Sequence, residues 1–163
     1  MTQKAKNILT IDSNEGQKLN IAGGNYRIIV SGKETGGTFA VIEMTVPPGA
    51  GPNPHSHANF EESFFVLEGE VNFKSESGNY VAKKNSFISI PKGGMVHGFK
   101  NLTANSAKLL CTVIPAGLDD FFVEVSAFME GNKTPLSEIE IRNNINVISE
   151  KYGQKLYGAE YLD

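Results

Sequence analysis

The sequence predicts a mainly β protein, an antiparallel sandwich or barrel followed by C-terminal helices, and three observations carry that prediction. Short apolar segments alternate with turn punctuation over the first two thirds of the chain. Glycine, at 17 of 163 residues, exceeds the usual share of about 7%, as many tight turns require. After Pro115 the apolar spacing changes from two to three and four, the period of a helix.

Each element follows from its own pattern. Strands are predicted at Tyr26 to Val30, Thr38 to Val46, Ser63 to Leu67, Val71 to Lys74, Ser86 to Ile90 and Lys108 to Val113. Gly36-Gly37, the Pro- and Gly-rich run from Pro47 to Pro54, the segment Glu76 to Gly78, and Pro91-Lys92-Gly93-Gly94 separate them. Leu118, Phe121, Phe122, Val125, Phe128 and Met129 recur at helical spacing, with Asp119 and Asp120 where the helix dipole favours acids and Gly131 at the end. A second helix is read from Ile141, Ile145, Ile148 and Tyr152, opened by a capping box from Ser137 to Glu140 and stopped by Gly153. Both helices either pack on the outside of the barrel or place Phe121, Phe122 and Phe128 as a lid over one mouth.

Composition narrows the function. Fifteen Lys+Arg against 18 Asp+Glu, a net charge of -3, give no basic footprint for a phosphate backbone, so nucleic acid is not an expected partner. No run reaches the roughly 18 apolar residues that span a bilayer, and no membrane partner is expected. Cys111 stands alone, without a disulfide partner, and the opening residues lack the apolar core of a secretory signal. A cytoplasmic protein is the expectation.

All three histidines of the chain, His55, His57 and His97, fall within 43 positions of one another. Residues two apart on a strand share a face about 7 Å apart, so modest bending brings His55 and His57 onto one ion. Glu62 has the wrong parity for the same straight strand. A turn at Ala58-Asn59 would return it on the neighbouring strand, its carboxylate facing the histidines. His97 follows the Gly93-Gly94 turn as a third imidazole. Three imidazoles and a carboxylate suit one divalent transition metal, Mn, Fe, Co, Ni, Cu or Zn, with coordination positions left for water or substrate.

The segment from Gly49 through His55-Ser56-His57 and Glu62 to Gly69 resembles the first motif of the cupins at every defining position. Pro91 to His97 followed by Asn101 resembles the second, with two departures: Asn85 stands where the leading glycine is usual, and one extra residue precedes His97. Framework residues at Thr35 to Phe39, Val46 to Gly49, Pro115 to Gly117 and Phe121-Phe122 are similar to those of the quercetin-dioxygenase-like small cupins. The resemblance implies a double-stranded β-helix, or jelly-roll, barrel in a single domain over residues 1–163. The barrel core would run over about 20–116 and the helical extension over about 117–163. It also implies a homodimer, a metal on His55, His57, Glu62 and His97, and selection of Glu62 over Glu61 as the carboxylate ligand.

Parity places Phe64 and Val66 on the face of Glu62, and Phe99 and Asn101 on the face of His97. Ile42 and Met44 face inward if Glu43 faces out. Ile42, Met44, Phe64 and Phe99 are therefore candidate pocket walls, or plain barrel packing. Glu43, Glu68 and Glu70 have no identifiable partner, and Cys111 reads as a small core residue. The resemblance implies a metal-dependent dioxygenase of quercetinase type acting on a small aromatic or enolisable hydroxy-ketone, with Glu62 as catalytic base. A non-redox isomerase, lyase or hydrolase, and a cupin that binds a small ligand without turnover, stand beside it.

Overall fold

A computed structural model describes residues 7–21, 23–132 and 134–163, so residues 1–6 of the expected domain lie outside the described residues. Among these residues eleven strands form two antiparallel sheets. One takes the order β1 (Gln17–Ile21), β2 (Gly24–Val30), β3 (Ala40–Val46), β10 (Ala107–Ile114), β5 (Glu61–Glu68), β8 (Phe87–Ile90). The other runs β11 (Gln154–Leu156), β4 (His55–His57), β9 (His97–Lys100), β6 (Glu70–Ser75), β7 (Gly78–Lys83). Among the described residues three helices complete the fold: α1 (Gly32–Thr35), α2 (Leu118–Gly131) and α3 (Glu138–Lys151).

Period-two burial explains why these segments form strands. Ala40, Ile42, Met44 and Val46 of β3 are buried, as are Ala107, Leu109, Cys111 and Val113 of β10, while their sequence neighbours are not. The six predicted strands all appear, with ends shifted by one or two residues. Aromatic residues tie the sheets together: Phe64 of β5 lies 5.3 Å from Phe73 of β6 and 5.4 Å from Phe99 of β9, and Phe73 lies 5.0 Å from Phe99. Each buried ring stabilises by about 1.5–3 kcal/mol, with about 0.5–1.5 more for a well-oriented pair.

Chain reversals need particular residues. Gly69 turns the chain from β5 in one sheet to β6 in the other at φ 74°, and a Cβ there would lie 2.9 Å from the Ala107 backbone. Asn85, in place of the usual glycine, takes φ 71°, a left-handed conformation that Asn tolerates better than most residues. That departure from the motif keeps the turn.

The expected capping box opens α3: Ser137 Oγ accepts from Glu140 N–H at 3.3 Å, and Glu140 accepts from Ser137 N–H at 2.9 Å. Gly131 is the last residue of α2 and not its cap, which is Asn132. Asp119 does more than face the helix dipole. Buried, it accepts hydrogen bonds from Gly32 N–H at 2.7 Å and Gly117 N–H at 2.9 Å, pinning α2 to α1. Among the described residues, no helix is long and apolar enough to cross a membrane.

Candidate metal centre

The site is assembled from both sheets. His55 and His97 are direct partners across β4 and β9, which brings their ring centroids to 4.4 Å. His57, two residues along β4, lies 4.8 Å from His97 and 6.0 Å from His55 by ring centroid. Glu62 does not return on a strand paired with β4, as its parity suggested. The chain crosses between the sheets at Ala58 to Phe60, and β5 pairs with β10 and β8, so the carboxylate approaches from the opposite layer. The Ala58 carbonyl accepts from Gly93 N–H at 3.1 Å and Phe60 stacks on His57 at 4.0 Å, which holds that crossover in shape.

All four side chains are buried, and one ligand atom from each lies within 4.8 Å of the others. Glu61 is exposed. Donors about 2.1 Å from a common ion are spaced by roughly 3.0–4.2 Å, so the cluster needs only a small contraction to close on one.

Hydrogen bonding shows what charge the cluster wants. His55 Nδ1 lies 2.9 Å from the Asn53 carbonyl, His57 Nδ1 3.0 Å from that of Phe60, and His97 Nδ1 2.9 Å from that of Met95. A carbonyl can only accept, so each Nδ1 carries the proton and each Nε2 turns a lone pair inward. Glu62 Oε2 sits 3.1 Å from His57 Nε2 and 3.5 Å from His97 Nε2. Lone pairs facing a carboxylate repel unless a cation lies between them. His97 Nε2 is buried and has no hydrogen-bond partner among the described residues. The donor set therefore fits a metal ion.

Titration follows the same field. Burial, reinforced by His97, pushes His55 down to about 4, with Glu62 opposing. Burial pushes the Glu62 carboxyl up, but the surrounding imidazoles of His57, His97 and His55 together outweigh it and hold the group below the usual carboxylate range. Cys111, read from sequence as inert core, touches the site: its thiol donates to Glu62 Oε1 at 3.3 Å, and burial followed by Glu62 pushes it up. Only its inward register beside Leu109 and Val113 could have indicated that contact.

A cavity of about 340 Å³ opens on the cluster, with His55 and Glu62 among its lining residues. Met44, Phe64 and Phe99 line it. Ile42, on the same face of β3, is packed in the core and is not part of the wall, because the cavity meets that strand only from Met44 onward. Tyr26, which sequence did not single out, joins the wall beside Phe122, their ring centroids 5.2 Å apart and edge to face. Burial, then Cys111 and Glu62, pushes the Tyr26 phenol upward.

Leu118, Phe121, Phe122, Val125 and Met129 of α2 close this mouth, so that face of α2 covers the cavity; Phe128 takes no part. No Lys or Arg lines the cavity among the described residues. Asn101 is fully buried and structural: its Nδ2 donates to the Val46 and Asn105 carbonyls at 2.9 and 2.7 Å. Glu43, unpartnered in sequence, lies 3.6 Å from Arg27.

Residues 42–113 match the family model described as a cupin domain. The chain is 25% identical over 132 residues to quercetin 2,3-dioxygenase of Bacillus subtilis (strain 168), an alignment covering 81% of this chain and 39% of that protein. The chain thus spans about two fifths of that relative's length. Among solved structures, a sugar phosphate isomerase of a cupin superfamily from Silicibacter pomeroyi superposes with a TM-score of 0.58 at 20% identity, covering 67% of this chain and 77% of that one. KdgF from Halomonas sp. gives a TM-score of 0.59 at 15% identity, with coverage of 68% and 97%. These two likenesses bear on the fold.

Proposed function

We propose that the protein, whose residues 42–113 match the cupin-domain model, is a metal-dependent dioxygenase of the quercetinase type, acting on a small aromatic or enolisable hydroxy-ketone. The observation that carries this reading is the cavity. Its floor contains His55 and Glu62, and its walls are Tyr26, Met44, Phe64, Phe99, Phe121 and Phe122. A phosphorylated sugar would need a cationic side chain there, and none of the described lining residues supplies one. A flat ring system would bury its faces against these aromatic walls. The likeness to quercetin 2,3-dioxygenase supports the same substrate class.

His55, His57, His97 and Glu62 would hold the metal, which would supply Lewis acidity and one-electron chemistry toward O2. The chain's own part is positioning and proton transfer. Glu62 accepts the proton of the substrate hydroxyl at Oε2, because Oε1 is engaged by the Cys111 thiol. The same Oε2 faces His57 and His97, so ligand and base roles fall on one oxygen. The three imidazoles, pinned through Nδ1, must keep the centre intact while Glu62 carries a proton. The apolar walls exclude water from the resulting enolate.

Oxygen uptake by protein loaded with Mn, Fe, Co, Ni or Cu, measured with flavonols and β-diketones, tests the proposal. Substrate loss matched by O2 uptake is expected from at least one form. Turnover that proceeds equally without O2 would replace the dioxygenase with a non-redox enzyme, and binding without turnover would replace it with a ligand-binding cupin.

A further inference from the structure

Gln154 opens β11, the short strand that follows α3 and pairs with β4. In that pairing it stands directly opposite His57, and Leu156 stands opposite His55. Directly opposed residues of an antiparallel pair project to the same face with Cβ atoms about 5 Å apart. The Gln154 side chain therefore leaves the sheet beside a metal-ligand candidate and toward the same interior. It is 5% exposed and lines the cavity.

Its Nε2 is buried without a hydrogen-bond partner among the described residues. Buried amides are almost always partnered, so this one is exceptional. The strand pairing does not explain it, because β11 joins β4 through the backbone and any side chain could stand there. Nearby Ser149 also lines the cavity, but its hydroxyl is committed to the Ile145 carbonyl at 2.7 Å. The Gln154 carboxamide offers two donors and an acceptor at the edge of the metal cluster and uses none of its donors on the protein.

We propose that Gln154 is the substrate's second polar anchor, donating N–H to a carbonyl oxygen on the carbon adjacent to the one whose hydroxyl faces Glu62. The proposal rests on the reading that the cavity holds the substrate, and it is independent of whether O2 is consumed. It narrows the substrate class to vicinal hydroxy-ketones. A lone phenol or alcohol would leave the amide unpartnered, and a carboxylic acid would place a second anion near Glu62. An apolar residue at the position would hold the fold equally well and lose the discrimination.

Titration of the metal-loaded protein with three probes tests this. Two, 3-hydroxyflavone and tropolone, carry a hydroxyl and a carbonyl on adjacent carbons; 2-naphthol has the hydroxyl alone. In Gln154→Leu, and in the unbranched Gln154→Met should the first fold poorly, binding of the hydroxy-ketones weakens by about 5- to 20-fold, the effect of one lost hydrogen bond. Binding of 2-naphthol changes less than about twofold, and the metal-free variants melt at or above the wild-type temperature. Equal weakening of all three probes assigns Gln154 to packing, and no weakening removes it from recognition; either overturns the proposal alone. Failure of all three to bind the wild-type protein overturns it together with the cavity reading.

Discussion

Replacing His57 with alanine probes the metal centre most directly, because His57 is buried and contributes one of the four clustered donors. The imidazole is held by Phe60 through both the carbonyl at 3.0 Å and the stacked ring at 4.0 Å. Changes outside the ligand shell commonly cost 10- to 100-fold in metal affinity, and loss of a ligand should cost at least about 100-fold. At a metal concentration about 100 times the wild-type Kd, linkage stabilises the wild-type fold by about 2.7 kcal/mol. For a domain of this size that is a rise in Tm of about 5–10 °C. The variant, at about its own Kd, gains about 0.4 kcal/mol, or roughly 1 °C. Each protein is compared with its own chelated form, so any intrinsic destabilisation cancels. Elemental analysis of dialysed samples should find about one transition metal per wild-type chain and almost none in the variant. Equal occupancy and equal shifts in both would refute the assignment of these residues to a metal.

Two further outcomes follow from the titrating and donating groups around the cluster. His55 is held at about 4 against 6.5 in the unfolded chain, so between those values the unfolded state binds more protons and stability falls as the pH drops. The metal-free protein should lose about 3 kcal/mol from this group between pH 6.5 and 4, with Glu62 adding to the loss at still lower pH, and denaturant titrations flat across that window would contradict it. Cys111→Val removes the donor to Glu62 Oε1 and should weaken metal binding by about 10-fold in a chelator competition, while Cys111→Ser, which keeps a donor, should restore most of it. Identical affinities in the two variants would return Cys111 to the plain core.

The cluster of His55, His57, Glu62 and His97 was legible in the sequence because its information is local: a two-residue spacing in His55 and His57, a turn, and one acid, Glu62, in an alternation otherwise filled by Phe64 and Val66. The cavity was only half legible, because its closure depends on pairings between distant parts of the chain. Period-two burial marks Met44, Phe64 and Phe99 as inward, yet nothing local separates the wall-forming Met44 from the packed Ile42. The strand β7 escaped notice because four of its first residues, Gly78 to Val81, are exposed and show no alternation. The strand β11 escaped because three residues after a helix carry no period at all, and it exists by pairing with β4, about a hundred positions earlier. Gln154, Cys111 and Tyr26 share that cause. Each is unremarkable among its sequence neighbours and acquires meaning only from what the fold places opposite it.

The proton tally of the site constrains the chemistry further. Every histidine in the chain is committed twice, through Nδ1 to a carbonyl and through Nε2 toward the centre, so no imidazole is left as a separate base. Gln154 can donate or accept a hydrogen bond but cannot take up a proton at ordinary pH. The Cys111 thiol and the Tyr26 phenol are both pushed upward by burial and are unfit to serve as anions. Among the described lining residues Glu62 remains, held on the acid side of the usual carboxylate range and therefore a weak base. Such a base removes a proton efficiently only from a hydroxyl that is itself acidic, since transfer to it from an ordinary alcohol is steeply uphill. Enols and ring hydroxyls next to a carbonyl meet that requirement. Under the proposed function, the uncharged aromatic walls and the amide of Gln154 serve that same class of molecule.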